Sequence, residues 1–148
     1  APTRRKVSQR DRFLLFDPGV RNALLGGAHR HEVSPVDAGA LFEQWITLQC
    51  FALIHGQRLG WTLSSYRTDA GAEVDLVIDR GDRLTAVECK WSRQAGEGDL
   101  RGLRSLEAVA GKPREKLLVY RGEKRQRFRK GEIAVPYQDF LESLAKGG

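Results

Sequence analysis

EVDLVIDRGDRLTAVECKW, residues 73–91, decides how this chain folds. Two runs of β-branched and apolar residues flank Gly81-Asp82, a dipeptide suited to a tight hairpin turn. With those two residues as the turn, Arg80 faces Arg83. Carrying the register back sets Val77 opposite Ala86, Asp75 opposite Glu88, and Glu73 opposite Lys90. A four-residue loop from Arg80 to Arg83 gives the same register, and a three-residue loop shifts it. Strand alternation then places Glu73, Asp75, Glu88 and Lys90 on one face. Val74, Leu76 and Ile78, with Thr85, Val87 and Cys89, take the other.

Directly opposed Cβ atoms lie about 4.5–5.5 Å apart, where like charges destabilise a strand pair. Two carboxylates at that distance share a proton or hold a cation. Carboxylate oxygens with room for water and phosphate describe a Mg²⁺ or Mn²⁺ site. The Lys90 ammonium, two residues from Glu88, could then hold a hydrolytic water or offset charge on a phosphate. A plainer reading stands beside this one. A hairpin with one solvated face carries charges at every second position, and Glu73–Lys90 would be an ordinary cross-strand ion pair.

Outward from the hairpin, AGALFEQWITLQCFALIH predicts the longest helix, from about Asp37 to His55 and ended by Gly56. Leu41, Phe42, Trp45, Ile46, Leu48, Phe51, Leu53 and Ile54 surround most of its circumference, which predicts a helix packed deep in the domain. Glu43 shares a stripe with Cys50 and Ile54, so its carboxylate is expected on a partly buried flank. WTLSSYRT (61–68) predicts a strand before the hairpin. DLRGLRSLEAVAG predicts an amphipathic helix with Leu100, Leu103, Leu106 and Val109 inward, and KLLVYR (116–121) a further strand. A strand GEIAVPY and a short helix QDFLESLAK close the chain. Upstream, residues 1–12 read as a loose basic arm, FLLF as a short strand, VRNALL as two helical turns and HRHEVSP as a loop. The order helix, three strands, helix, strand predicts an α/β fold with helices around a mixed sheet.

The 148 residues fit one domain, 13–148, with its core at about 37–121. Apolar residues make up 41% and charged residues 30%, which excludes a disordered chain. No apolar run approaches the ~20 residues that cross a bilayer, and no signal-peptide pattern opens the chain. The absence of methionine predicts a fragment, either a domain cut from a longer protein or a chain trimmed at its N-terminus. Cys50 and Cys89 form no CxxC pair, which argues against zinc and predicts buried reduced thiols in a cytoplasmic protein, with a disulfide between them as the alternative. Twenty-five basic residues against 19 acidic ones give a net charge of +6. Arginine dominates, and its planar fork suits phosphate, so nucleic acid is a natural partner class.

Asp75, then Glu88-Cys89-Lys90 on the next strand, with Glu43 on the preceding helix, resembles the restriction-endonuclease-like PD-(D/E)xK nuclease superfamily, whose core order is αβββαβ. Val74 stands where the superfamily name has proline. More narrowly, FDPGVRNALLG, GALFEQW, YRTDAGAEVDLVID and AVECKWS resemble the C-terminal domain of unknown function behind the P-loop domain of prokaryotic AAA-type ATPases. The resemblance implies a restriction-endonuclease-like fold, Glu43, Asp75 and Glu88 as ligands to Mg²⁺ or Mn²⁺, and Lys90 as catalytic base or charge stabiliser. It further implies DNA as substrate and an N-terminal P-loop ATPase domain upstream of Ala1. A catalytically inactive module that binds nucleic acid or a protein partner and regulates the ATPase is the alternative, and a homo-oligomer is compatible with either. No GxxxxGK[ST] occurs in the chain itself.

RGEKRQRFRK (121–130) offers Lys124, Arg125, Arg127, Arg129 and Lys130 to phosphates, with Phe128 as one stacking aromatic. A solvated turn explains the same residues. Arg67 could reach the same phosphate. Trp45 and Trp91 fit core packing, and Trp61 fits either core or edge. His29, His31 and His55 are too scattered for a metal or relay. Ser64 and Ser65 lack the GxSxG context of acyl transfer.

Overall fold

The computed structural model describes residues 7–9, 34–69, 71–110 and 115–147. The expected strand at FLLF, the two helical turns after it, His29 and His31 lie outside them. The elements, in order, are β1 (Val7–Gln9), α1 (Pro35–Gly56), β2 (Thr62–Thr68), β3 (Glu73–Asp79) and β4 (Leu84–Lys90). A 3-10 turn (Glu97–Leu100) leads into α2 (Arg101–Ala110), followed by β5 (Glu115–Tyr120), β6 (Gln126–Arg127), β7 (Ile133–Pro136) and α3 (Tyr137–Ala145). The strands form one mixed seven-stranded sheet in the order β1-β2-β3-β4-β5-β7-β6. β1 to β4 run antiparallel, β5 and β7 join parallel, and β6 returns antiparallel on β7. The α/β class with helices around a mixed sheet is as the sequence predicts. Val7–Gln9 departs from the loose arm, pairing with Tyr66–Thr68 at the sheet edge.

Local chemistry explains the boundaries. Ser34 caps α1 by accepting the Asp37 amide at 3.2 Å, and Pro35 occupies the first turn, where a missing N–H costs nothing. The hairpin closes through the Arg80 amide on the Arg83 carbonyl at 3.0 Å. Gly81 supplies the positive φ of 89° that such a turn requires. The register follows: Val77 faces Ala86, and Leu76 faces Val87.

Two apolar layers sandwich the sheet. On one face Phe42, Ile46, Cys50 and Ile54 of α1, with Phe140 and Leu144 of α3, pack on Leu76, Ile78, Val87, Val119 and Val135. On the other, Leu100, Leu103 and Leu106 pack on Val74, Val77, Ala86 and Leu118. The deeply packed α1 is a correction. Its buried side chains follow one stripe, while Trp45 and Phe51 are each 37% exposed, because the sheet and α3 cover a single flank. Trp91, also expected in the core, is 38% exposed. Val74 also changes sides. Between Ser64 and Tyr66 the β2–β3 register slips, two residues of β2 spanning three of β3, so an extra residue bulges at Asp75–Leu76. Val74 therefore joins Val77, and strict alternation no longer carries all four charged side chains to one face.

Ile46, fully buried between α1 and the sheet, is a sensitive packing probe. Ile46→Ala should cost about 2–5 kcal/mol in urea unfolding, whereas Val36→Ala, at a side chain 82% exposed, should cost a few tenths at most.

Candidate functional site: a braced carboxylate pair

At the bulge, β3 and β4 part. The β3–β4 ladder ends at Leu76–Val87, while β4 continues along β5 as far as Lys90–Tyr120. Two side chains bridge the gap. Glu88 Oε1 accepts the Asp75 backbone amide at 3.2 Å, and Asp75 Oδ2 accepts the Cys89 amide at 2.8 Å. Each carboxylate thus satisfies a part-buried donor of the opposite strand that the ladder leaves behind. The pair that the hairpin register predicts, Asp75 with Glu88, is brought together.

Burial, the neighbouring Asp75 carboxylate and, more weakly, Glu73 push the Glu88 carboxyl up to about 8, against the opposing pull of the Asp75 amide. The cover comes from α2. A Cβ on Gly102 would collide with the Glu73 carbonyl oxygen and stand 3.2 Å from Glu88 Oε1, so only glycine lets the helix lie this close.

The other predicted residues are placed differently. Lys90 ion-pairs with Asp99 of the 3-10 turn rather than with Glu73. Asp99 is itself positioned by the Gly96 amide, 2.8 Å from its Oδ2. Glu73 instead pairs with Arg67, its partner on β2. Arg67 is therefore engaged by a carboxylate on the neighbouring strand. Glu43 is half-buried on α1, the helix of the opposite sheet face from α2, and its carbonyl accepts Thr47 Oγ1 at 2.8 Å. Among the described residues, no group of three or more His, Cys, Asp or Glu side chains is arranged to hold a metal ion. Any cation here would rest on Asp75 and Glu88, with water and phosphate oxygens completing its shell.

Lys124, Arg125, Arg127, Arg129 and Lys130 are all exposed on the connection from β5 to β7. Phe128 is not the stacking aromatic expected there: it is 9% exposed and belongs to the core beneath α2. The connection is anchored by Glu132, fully buried, whose Oε1 meets Arg104 Nε at 2.8 Å and whose Oε2 accepts the Lys130 amide at 3.1 Å. Burial alone would raise this carboxyl, but Arg104, the backbone amide and Lys116 hold it below the usual carboxylate range. Burial pushes the Cys50 thiol up to about 12, which makes it an inert core group. Sequence reasoning missed Asp99, Gly102 and Glu132. A glutamate entering an apolar strand, as in GEIAVP, is the signal that could have flagged the last.

The fold and site define an α/β protein whose mixed sheet parts around a braced pair of carboxylates, one of them protonated near neutrality. The chain belongs to the family described as Domain of unknown function (DUF4143), whose profile matches residues 38–140. No curated protein and no solved structure matches it in the other two comparisons. No helix among the described residues is long and apolar enough to cross a membrane.

Two outcomes test this geometry. Gly102→Ala should destabilise the domain by about 1–3 kcal/mol in denaturant unfolding despite alanine's better helix propensity, because α2 must lift off β3. The raised Glu88 carboxyl binds a proton in the folded chain that the unfolded chain has released between its ordinary value of 4.5 and about 8. Its contribution to stability therefore falls as pH rises through that window. Glu88→Gln, which keeps an acceptor and cannot ionise, should raise the melting temperature more at about pH 9 than at about pH 4.

Proposed function

We propose that this domain is a metal-dependent, nuclease-like phosphodiesterase module acting on DNA, carried behind the P-loop ATPase domain of a longer chain. The observation that supports it best is the mutual bracing of Asp75 and Glu88, which keeps two carboxylates together and prevents them from swinging apart. The αβββαβ order from α1 to β5 agrees with a restriction-endonuclease-like core. When bound, Mg²⁺ or Mn²⁺ would supply Lewis acidity toward a phosphoryl oxygen and acidify a water.

The chain's own groups divide the remaining work. Glu88 gives up its proton as a cation is taken, so uptake strengthens as pH rises toward about 8. Lys90, two residues along β4, orients water or meets charge on the phosphate once Asp99 shares it. The exposed Lys124, Arg125, Arg127, Arg129 and Lys130 sit at the β6 edge, three strand spacings or about 14 Å from β4, and hold the DNA backbone there. Glu43, from the other side of the sheet, would enter only as an outer partner of a metal-bound water.

A second reading has its own support. The Lys90–Asp99 pair and the lack of a three-ligand cluster among the described residues favour a catalytically silent module that binds nucleic acid or a partner and regulates the ATPase. Plasmid and single-stranded DNA incubated with Mn²⁺ separate the two. The phosphodiesterase reading expects nicking that rises with pH toward about 8 and falls at least a hundredfold, or ~3 kcal/mol in barrier, in Lys90→Ala. DNA binding without cleavage, indifferent to metal, would establish the silent module instead.

A further inference from the structure

A second concavity lies where β4 ends, on the α1 side of the sheet. It encloses about 500 Å³ between Leu41, Phe42, Trp45, Trp91 and Tyr137, with Arg121 at its margin. The rings hold one another edge to face: Phe42 lies 5.6 Å from Trp91 and 5.7 Å from Tyr137 between centroids, and Trp45 lies 5.8 Å from Tyr137. Such contacts fix ring orientation. Trp45 and Trp91 nevertheless keep more than a third of their surface open, an unusual use of the largest apolar side chain. The Arg121 guanidinium carbon stands 3.6 Å from the Trp91 ring centroid, and its Nε donates to the Trp91 carbonyl, so the cation is fixed beside the rings.

Arg121 and Tyr137 also line a neighbouring trough of about 960 Å³ that carries Arg93, Lys124 and Gln126. Glu123 and Asp139 share this trough, so its charge is mixed with a basic excess. An aromatic notch opening into a cationic trough suits a ligand that is flat and aromatic at one point and anionic along its length. Single-stranded nucleic acid has that chemistry, since every base offers a π-face and every linkage a phosphate. An apolar protein segment would use the rings and make nothing of Arg93, Arg121 and Lys124.

We propose that the Trp45–Trp91 notch is a base-stacking subsite for single-stranded nucleic acid. It rests on the DNA-directed reading above and deepens it by naming the single strand as the preferred form. Stacking itself requires neither the Asp75–Glu88 pair nor a cation.

The test uses the 148-residue chain with chelator present. It compares a thymidine oligomer of about ten nucleotides with an abasic deoxyribose-phosphate oligomer of equal length, by tryptophan quenching and affinity. The thymidine oligomer should quench and bind more tightly. Trp91→Ala and, separately, Trp45→Ala should weaken it by roughly fivefold to a hundredfold while leaving the abasic oligomer unchanged. Trp91→Phe, which keeps a ring, should retain most of the affinity and covers the case in which an alanine variant folds poorly. Equal affinity for the two oligomers overturns the proposal. So does unchanged thymidine binding in both alanine variants. Intact stacking with no cleavage in Mn²⁺ would reject the phosphodiesterase reading and leave this subsite standing.

Discussion

The structure turns on one exchange between neighbouring strands. Where β3 bulges and leaves β4, two backbone amides would be stranded without partners, and the carboxylates of Asp75 and Glu88 take them up. A buried unpaired N–H costs about 1–3 kcal/mol, so the braces support the fold as well as any chemistry. The same arrangement half-buries Glu88 and sets a second acid beside it, and burial first, then that acid, explains why Glu88 retains its proton to about 8. The bulge, the parting of the strands and the raised Glu88 carboxyl are one feature seen at three levels. Bulges of this kind recur beside functional sites because they re-aim side chains without dissolving the sheet.

Comparing Glu88 with Glu132 separates burial from function. Glu132 is fully buried and Glu88 half-buried, both near α2, yet their carboxyls move in opposite directions. Glu132 has an arginine, a backbone amide and a nearby lysine, the full set of partners that a structural carboxylate needs. Glu88 has an amide and another acid. Among the described residues, Lys90 turns to Asp99 and Arg67 to Glu73, so neither offsets it. A half-buried acid left in that state is the pattern expected where a cation or a proton is part of the function.

Much of the fold was legible because it depends on local chemistry. Gly81-Asp82 set the hairpin, the hairpin set the register, and β-branched runs separated by short turns set β2 to β4. The amphipathic stripe Leu100, Leu103, Leu106 predicted α2 as it stands. What escaped depends on tertiary context. Alternation cannot foresee a bulge, so Val74 was assigned to the wrong face and Glu73 to the wrong partner. Periodicity cannot say how many flanks of a helix are covered, so α1 looked buried all round when only one stripe is. Phe128 looked exposed among arginines, yet its own Glu132 anchor pulls the loop down and buries the ring. Glu43 was correctly read as half-buried, but one sequence cannot say on which side of a sheet a preceding helix will lie.

The two faces of the sheet have consequently been given different tasks. Beneath α2, close packing at Gly102 half-buries Glu88, and burial raises its carboxyl. Beneath α1, incomplete cover leaves Trp45 and Trp91 open around a fixed arginine. These features meet at the end of β4, where Lys90 belongs to the carboxylate side and its neighbour Trp91 to the aromatic side. Successive residues of a strand point to opposite faces, so one stretch of backbone can serve both. A ligand that follows the sheet edge past that point would meet rings on one side and an amine on the other. Lys90 ends β4 and Trp91 follows it directly, its ring held by Arg121 and Phe42, so the spacing of the two is set by the sheet end and its packing.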